Sequence, residues 1–228
     1  MQRIAHVFCL FLLFIIYGCA HVYKPPSLSK EVVSYISDRC HTWESFEMHL
    51  RIKLAKGMIK RRFLLSLWKE KNSVRMDLMT STGQSIAIGI FHHDSKSLLW
   101  LPTENLLYTA NLPEVLLKQV LNLSITPICI IDVVTGCYSD PAFKEATIVT
   151  STSSTGQLEI SHVNYRKVSI TYSPPFEIAE YKKLPENITI KIGNQTVKLN
   201  IVSVHCFDRI SRDIFQLRIP KNVKRVDL

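Results

Sequence analysis

Phe46, Met48, Leu50, Ile52 and Leu54 alternate with Glu47, His49, Arg51 and Lys53, so this stretch has one apolar face and one polar face. That period of two predicts an antiparallel strand with a single wet side. The same alternation recurs at Phe63, Leu65 and Leu67, at Val74, Met76 and Leu78, and at Ile86, Ile88 and Ile90. Turn-forming residues separate the runs, first Ala55-Lys56-Gly57 and later Thr80-Ser81-Thr82-Gly83. Two shorter strands, 97–101 and 106–109, flank the turn Pro102-Thr103-Glu104-Asn105.

At Leu112 the period changes. Residues 113–123 and 127–134 are short apolar segments, each opened by a proline, which suits the first helical turn. Asn111 or Thr126 would cap them, and Gly136 suits the end of the second. After Asp140-Pro141 the strand period returns in 147–150, 158–163, 168–172, 188–192, 197–204 and 214–219. Upstream of all the strands, Ser29 reads as the N-cap of a helix with Val32, Val33, Ile36, Cys40 and Trp43 on one face.

The chain is therefore mainly β, with about eleven strands sharing an apolar face and few helices to cover it. The economical arrangement is an unclosed antiparallel β-barrel, with helices forming a lid over an apolar cavity. The residues expected to line that cavity are Phe46, Met48, Leu50, Ile52, Leu54, Phe63, Leu65, Leu67, Ile86 and Ile88 from the strands, with Leu116 and Val120 from the lid. A hollow of that kind suits an acyl chain.

The amino terminus changes the picture most. Arg3 precedes an apolar stretch from Val7 to Gly18, which ends at Cys19. A spanning helix needs about 20 apolar residues, and this run stops at Ala20, before His21 and Lys24. It reads as a secretory signal. The Gly18-Cys19 junction resembles the bacterial lipobox, in which the cysteine is acylated and becomes the first residue of the mature protein. The alternative is an ordinary signal peptide with an incidental cysteine near its end. With the lipobox reading, residues 1–18 are a signal peptide, 19–28 a tether stiffened by Pro25-Pro26, and 29–228 one domain. Ala20 follows the cysteine where an acidic residue would retain such a protein at the inner membrane, so the expected place is the outer membrane, facing the periplasm.

The net charge is +9, which ordinarily suggests nucleic acid or an anionic membrane. Beyond a secretion signal, nucleic acid drops out as a partner. The cations are dispersed among Lys60-Arg61-Arg62, Lys182-Lys183 and Lys221/Lys224/Arg225, and read as solvated loop charge. Beyond the signal and Cys19, the remaining cysteines are Cys40, Cys129, Cys137 and Cys206. Four cysteines in an oxidising compartment allow three connectivities, with free buried thiols as the other possibility; Cys129 and Cys137 flank a short helix and could approach one another.

Enzyme chemistry has little to stand on. GxSxG, HExxH and a glycine-rich phosphate loop are all missing from the sequence. His92-His93-Asp94 ends a strand, where neighbouring side chains point to opposite faces and would not converge on a metal. No cofactor and no metal site is expected.

The order of elements resembles the outer-membrane lipoprotein receptor LolB and its periplasmic relative LolA. The likeness runs through the strands at 46–54 and 63–68, Val74-Arg75-Met76-Asp77-Leu78, Thr80-Ser81-Thr82-Gly83, Leu106-Leu107-Tyr108, the helix at 114–121, and more loosely 167–172, 184–188 and 197–201. It implies an unclosed barrel with a helical lid, a role in taking acylated lipoproteins from a LolA-like carrier and placing them in the outer membrane, and a monomeric state. In that family, the loop just before the glycine matching Gly83 carries an exposed leucine that acts on the membrane. Ser81, Thr82 and Gly83 are thus the candidate membrane loop, and Thr82 is polar where the family has leucine. The resemblance therefore implies binding without efficient insertion. A reading of another class remains beside it, an assembly lipoprotein whose barrel is packed solid by Trp43, Trp68, Trp100 and its phenylalanines.

Overall fold

The structure, a computed structural model, describes residues 30–92, 95–121, 127–138, 145–152, 158–179 and 182–228. The expected signal peptide at 1–18, Cys19, the expected tether at 19–28, the Ser29 cap, His93-Asp94, Thr126 and Asp140-Pro141 lie outside the described residues.

Helix α1 (Lys30–Thr42) leads into β1 (Ser45–Lys56), β2 (Ile59–Glu70), β3 (Ser73–Thr80), β4 (Ser85–His92), β5 (Ser97–Leu101) and β6 (Leu106–Ala110). Helices α2 (Pro113–Leu121) and α3 (Pro127–Thr135) follow, each beginning on the proline that the sequence places there. The sheet resumes with β7 (Thr147–Thr152), β8 (Leu158–Tyr165) and β9 (Val168–Tyr172), and β10 (Pro175–Ala179) and β11 (Lys182–Pro185) make a separate two-stranded ribbon. Strands β12 (Asn187–Ile192), β13 (Gln195–Cys206) and β14 (Lys224–Asp227) complete the chain.

Among the described residues, one sheet of 12 strands runs in the order β14-β6-β5-β4-β3-β2-β1-β13-β12-β9-β8-β7. Its edges, β14 and β7, are not paired with each other, so the sheet is unclosed. β1 sits at its centre, paired along its whole length with β2 on one side and β13 on the other. The central place follows from its pattern: the five apolar positions are 0 to 6% exposed, while the alternating positions stay partly or fully wet.

Two expectations are corrected. Alternation predicted that Ile88 shares a face with Ile86. A bulge intervenes: Leu78 pairs with Ala87 and Met79 with Ser85, so Ile86 has no partner of its own and joins the core. Ile88 then stands opposite Asp77 and Trp100, and Ile90 opposite Arg75 and Leu98, on the outer face. An inserted residue reverses the facing of everything beyond it.

The second correction concerns the C-terminus. Residues 214–219, predicted as a strand, instead contain the end of a 3-10 turn (Arg212–Phe215) and irregular chain. This segment crosses the outer face, where Arg75 Nη1 donates to the Ile214 carbonyl at 2.7 Å and the Ile210 N–H donates to Glu70 at 3.0 Å. It then supplies β14, which pairs in parallel with β6. The sheet is therefore mixed, not wholly antiparallel, because a crossover sets no hairpin direction. The added strand also covers the edge that β6 would otherwise expose.

Candidate functional site

The concave face is built by register. Leu50 lies opposite Leu65, Leu65 opposite Leu78, and Leu78 opposite Ala87. The next row runs Met48, Leu67, Met76 and Gly89. On the other flank, Ile52 faces Leu199, Leu199 faces Ile188, and Ile188 faces Tyr172. Each row is a set of cross-strand neighbours about 5 Å apart, so alternation within strands becomes a continuous apolar surface across them. Gly89 is part of this packing, since a Cβ there would fall 2.4 Å from Phe91 Cε2.

Leu116 from α2 and Ile131 and Val134 from α3 belong to the same buried cluster, with Val120 and Phe63 packed against it. Phe46, Met48, Leu50, Ile52, Leu54, Phe63, Leu65, Leu67, Ile86, Leu116 and Val120 thus come together on one side of the sheet. Ile88 does not.

A polar junction holds α3 at its C-terminal end. The last carbonyls of a helix have no partners within it, and here side chains supply them. Arg39 Nε and Nη2 donate to the Thr135 carbonyl at 2.9 and 2.7 Å, and Arg39 Nη1 donates to the Tyr35 hydroxyl at 3.1 Å. The Tyr172 hydroxyl donates to the Val133 carbonyl at 2.8 Å and pairs with the Tyr138 hydroxyl. Gly136, at φ +73°, turns the chain so that its N–H reaches the Asp132 carbonyl at 2.7 Å. A disulfide joins Cys40, in the last turn of α1, to Cys137, so Cys137 pairs with Cys40 and not with Cys129; Cys129 and Cys206 stand outside that bond.

Burial dominates the electrostatics here. It pushes the Tyr138 and Tyr172 hydroxyls above the usual tyrosine range, with Asp132 adding to the shift. Burial also lowers Lys69, against the opposing pull of Glu44, Asp132 and Glu70; its ammonium donates to the Trp43 carbonyl at 3.0 Å. Beside this junction a small surface cleft, open to solvent, is lined by Tyr35, Arg39, Glu159, Ile160, Tyr172 and Pro185 among others.

Sequence reasoning missed this junction entirely. Its signals are weak ones: a glycine just past an apolar helix, a tyrosine two residues beyond it, and another at the end of a strand. Ser81, Thr82 and Gly83 form the exposed β3–β4 turn, where the Thr82 hydroxyl bonds the Thr80 hydroxyl at 2.8 Å and Gly83 adopts φ +86°. The turn is thus polar by internal bonding as well as by composition. Among the described residues, no group of three or more His, Cys, Asp or Glu is placed to hold a metal ion, and no helix is long and apolar enough to cross a membrane.

No family's sequence model and no curated protein matches the chain. Solved structures do. A domain from Vibrio parahaemolyticus ascribed to outer membrane lipoprotein sorting superposes with a TM-score of 0.54 at 9% identity, covering 81% of this chain and 94% of its own. A LolA superfamily protein from Nitrosomonas europaea gives 0.50 at 10% identity, covering 81% and 97%. A DUF1329 family protein from Desulfovibrio piger gives 0.52 at 7% identity, covering 82% and 95%. At such identities the likeness speaks for architecture, and on that architecture the chain has a LolA/LolB-like fold.

Proposed function

We propose that this chain is a lipid-anchored envelope protein that receives an acyl chain, or the acylated end of a lipoprotein, between its concave sheet face and helices α2 and α3, and helps localise that cargo to the outer membrane. The observation that carries this reading is the continuous apolar surface from β4 to β9, packed against helices α2 and α3 and against Leu184 of the β10–β11 ribbon. Helices α2 and α3 belong to no strand ladder, so they can move aside without breaking one, and the strand surface beneath them is mainly apolar, with the Tyr172 hydroxyl at its edge. Entry of an acyl chain then replaces lid contacts by chain contacts at about 0.8 kcal/mol per buried methylene. The role is one of binding and transfer, without catalysis. A LolA-like periplasmic carrier is the matching donor, and the protein acts as a monomer.

Residues 1–18 serve as the signal peptide, Cys19 as the acylated first residue, and 19–28 as the tether to the domain at 29–228. Changing Cys19 to Ala and fractionating cells tests the anchor: the variant should leave the membrane fraction, and its retention there with normal processing would end the proposal. Solvent extraction of the purified protein, followed by mass spectrometry, tests the cargo. Recovery of fatty acid or acyl peptide supports the carrier reading, and affinity should rise with chain length until the interior is full.

A second reading is favoured by one observation. Phe46, Met48, Leu50, Leu67 and Leu116 are 0 to 1% exposed, so the concave side is occupied by its own large side chains. On that reading the protein is an assembly lipoprotein with a packed interior and a partner at its rim. Failure of fluorescent fatty acids to bind at micromolar concentration would decide for it.

A further inference from the structure

The wet face of the central strands carries cations in direct register. Arg62 on β2 lies opposite Lys53 on β1, and Lys53 lies opposite Lys198 on β13. One row nearer the hairpin tips, Lys60 lies opposite Ala55, Ala55 opposite Thr196, and Thr196 opposite Lys191 on β12. All five cations are exposed, and neither row contains a carboxylate. Among the described residues none of them forms an ion pair. Like charges directly opposite one another weaken a sheet, so folding alone gives no reason for this arrangement.

The rows end at the β1–β2 turn. Gly57, at φ +55°, closes this two-residue hairpin, and Met58 at its tip is 99% exposed. An apolar side chain is thus held fully in water, just beyond a cationic surface. The β3–β4 turn at Ser81, Thr82 and Gly83 projects from the same end of the sheet, since Thr80 pairs with Phe63 and the β2 strand runs on past it to Ile59.

We infer that this end of the sheet docks on an anionic phospholipid surface, with Met58 entering the acyl boundary and Lys53, Arg62 and Lys198 meeting headgroup phosphates. The chemistry of each part matches one layer of that surface. The thioether favours the apolar layer, and long cationic side chains lay their stems along that layer while their charges stay in the headgroups. An acidic protein would answer the cations but leave Met58 without a role. Met58 also supplies the apolar tip that the polar Thr82 turn lacks. The inference does not depend on whether the interior takes an acyl chain, because its readout is local to position 58.

The test uses the full chain carrying Met58→Trp, incorporated in phosphatidylcholine vesicles with or without phosphatidylglycerol, either lipid being brominated in its acyl chains. Subtracting the parent protein's fluorescence isolates the new indole from Trp43, Trp68 and Trp100. Since Met58 is fully exposed, the substitution removes no packing. Brominated phosphatidylglycerol should quench the added emission, and salt should reverse the quenching. Lys53→Gln, Arg62→Gln and Lys198→Gln together should shift the docked-to-undocked ratio by roughly a hundredfold, at about fivefold per cation. Equal, salt-insensitive quenching by brominated phosphatidylcholine would overturn the anionic partner. Quenching in neither vesicle would overturn the contact altogether. Protection of these lysines from acetylation by polyglutamate, with no lipid quenching, would assign the face to an acidic protein instead.

Discussion

Cys40 and Cys137 are joined by a disulfide across 97 residues of sequence, which fixes the last turn of α1 beside the chain leaving α3. The bond lies next to the Arg39 guanidinium that holds the Thr135 carbonyl, so covalent and polar contacts secure the same end of the lid. Closing a loop of this length restricts the unfolded chain strongly, by about 4.7 kcal/mol in the chain-entropy account. Replacing both cysteines by alanine should therefore lower the denaturation midpoint by an amount equivalent to about 2–4 kcal/mol. Hydrogen exchange at α3 should accelerate more than exchange in β1. Urea titration and exchange of the two proteins check this, and uniform acceleration across the domain would mean that the bond does not act on the lid.

Gly89 makes room for the Phe91 ring on the concave face. A methyl group at position 89 would overlap Phe91 Cε2 and Cζ, and Phe91 is only 4% exposed, with little freedom to yield. Gly89→Ala should cost about 1–3 kcal/mol as an overpacking change. Thermal unfolding measures it. Pairing Gly89→Ala with Phe91→Leu should recover part of the loss, and no recovery would place the strain elsewhere.

Burial raises the Tyr138 and Tyr172 hydroxyls above the ordinary tyrosine value of 10.0. The sign follows from proton binding. Above that ordinary value the unfolded chain releases protons that the folded chain keeps, so stability is full below it and falls as pH rises past it. Urea unfolding at pH ~9 and ~11 should show the drop, and Tyr172→Phe should reduce it. At neutral pH the same substitution should cost about 1–3 kcal/mol, because it leaves the Val133 carbonyl without the Tyr172 hydroxyl. An unchanged alkaline slope in the variant would show that the pair does not carry the effect.

Lys53 stands between Arg62 and Lys198 in one cross-strand row. Relieving opposed like charges should stabilise the sheet, so Lys53→Thr should raise stability by about 0.2–1 kcal/mol at low salt. The gain should shrink as ionic strength rises, since exposed charges are screened within about 10 Å at 0.1 M. A loss of stability would mean that the lysine stem, not its charge, governs the position.

The central strands were legible because burial on one side of a sheet writes itself as strict alternation, as in Phe46 through Leu54. The proline-opened helices were legible for a similarly local reason: Pro113 and Pro127 stand at the first positions of α2 and α3. Ile88 was misread because alternation carries no mark of an inserted residue. Only the pairing of Met79 with Ser85 reveals the bulge. The run 214–219 alternates like a strand, yet its register is spent on the outer face, where Arg75 takes the Ile214 carbonyl.

What the sequence alone determined is therefore the set of local periods: a mainly β chain, an apolar face shared by many strands, and a helical interruption. These depend on neighbours along the chain, where side-chain spacing is enough. Tertiary structure alone decided which cysteines pair, which side of the sheet Ile88 takes, the parallel closure of β14 on β6, the polar latch of Arg39 and Tyr172 on α3, and the opposed cations of Lys53, Arg62 and Lys198. Each of these joins residues far apart in sequence, and alternation along one strand specifies a face but not the partner that lies across from it.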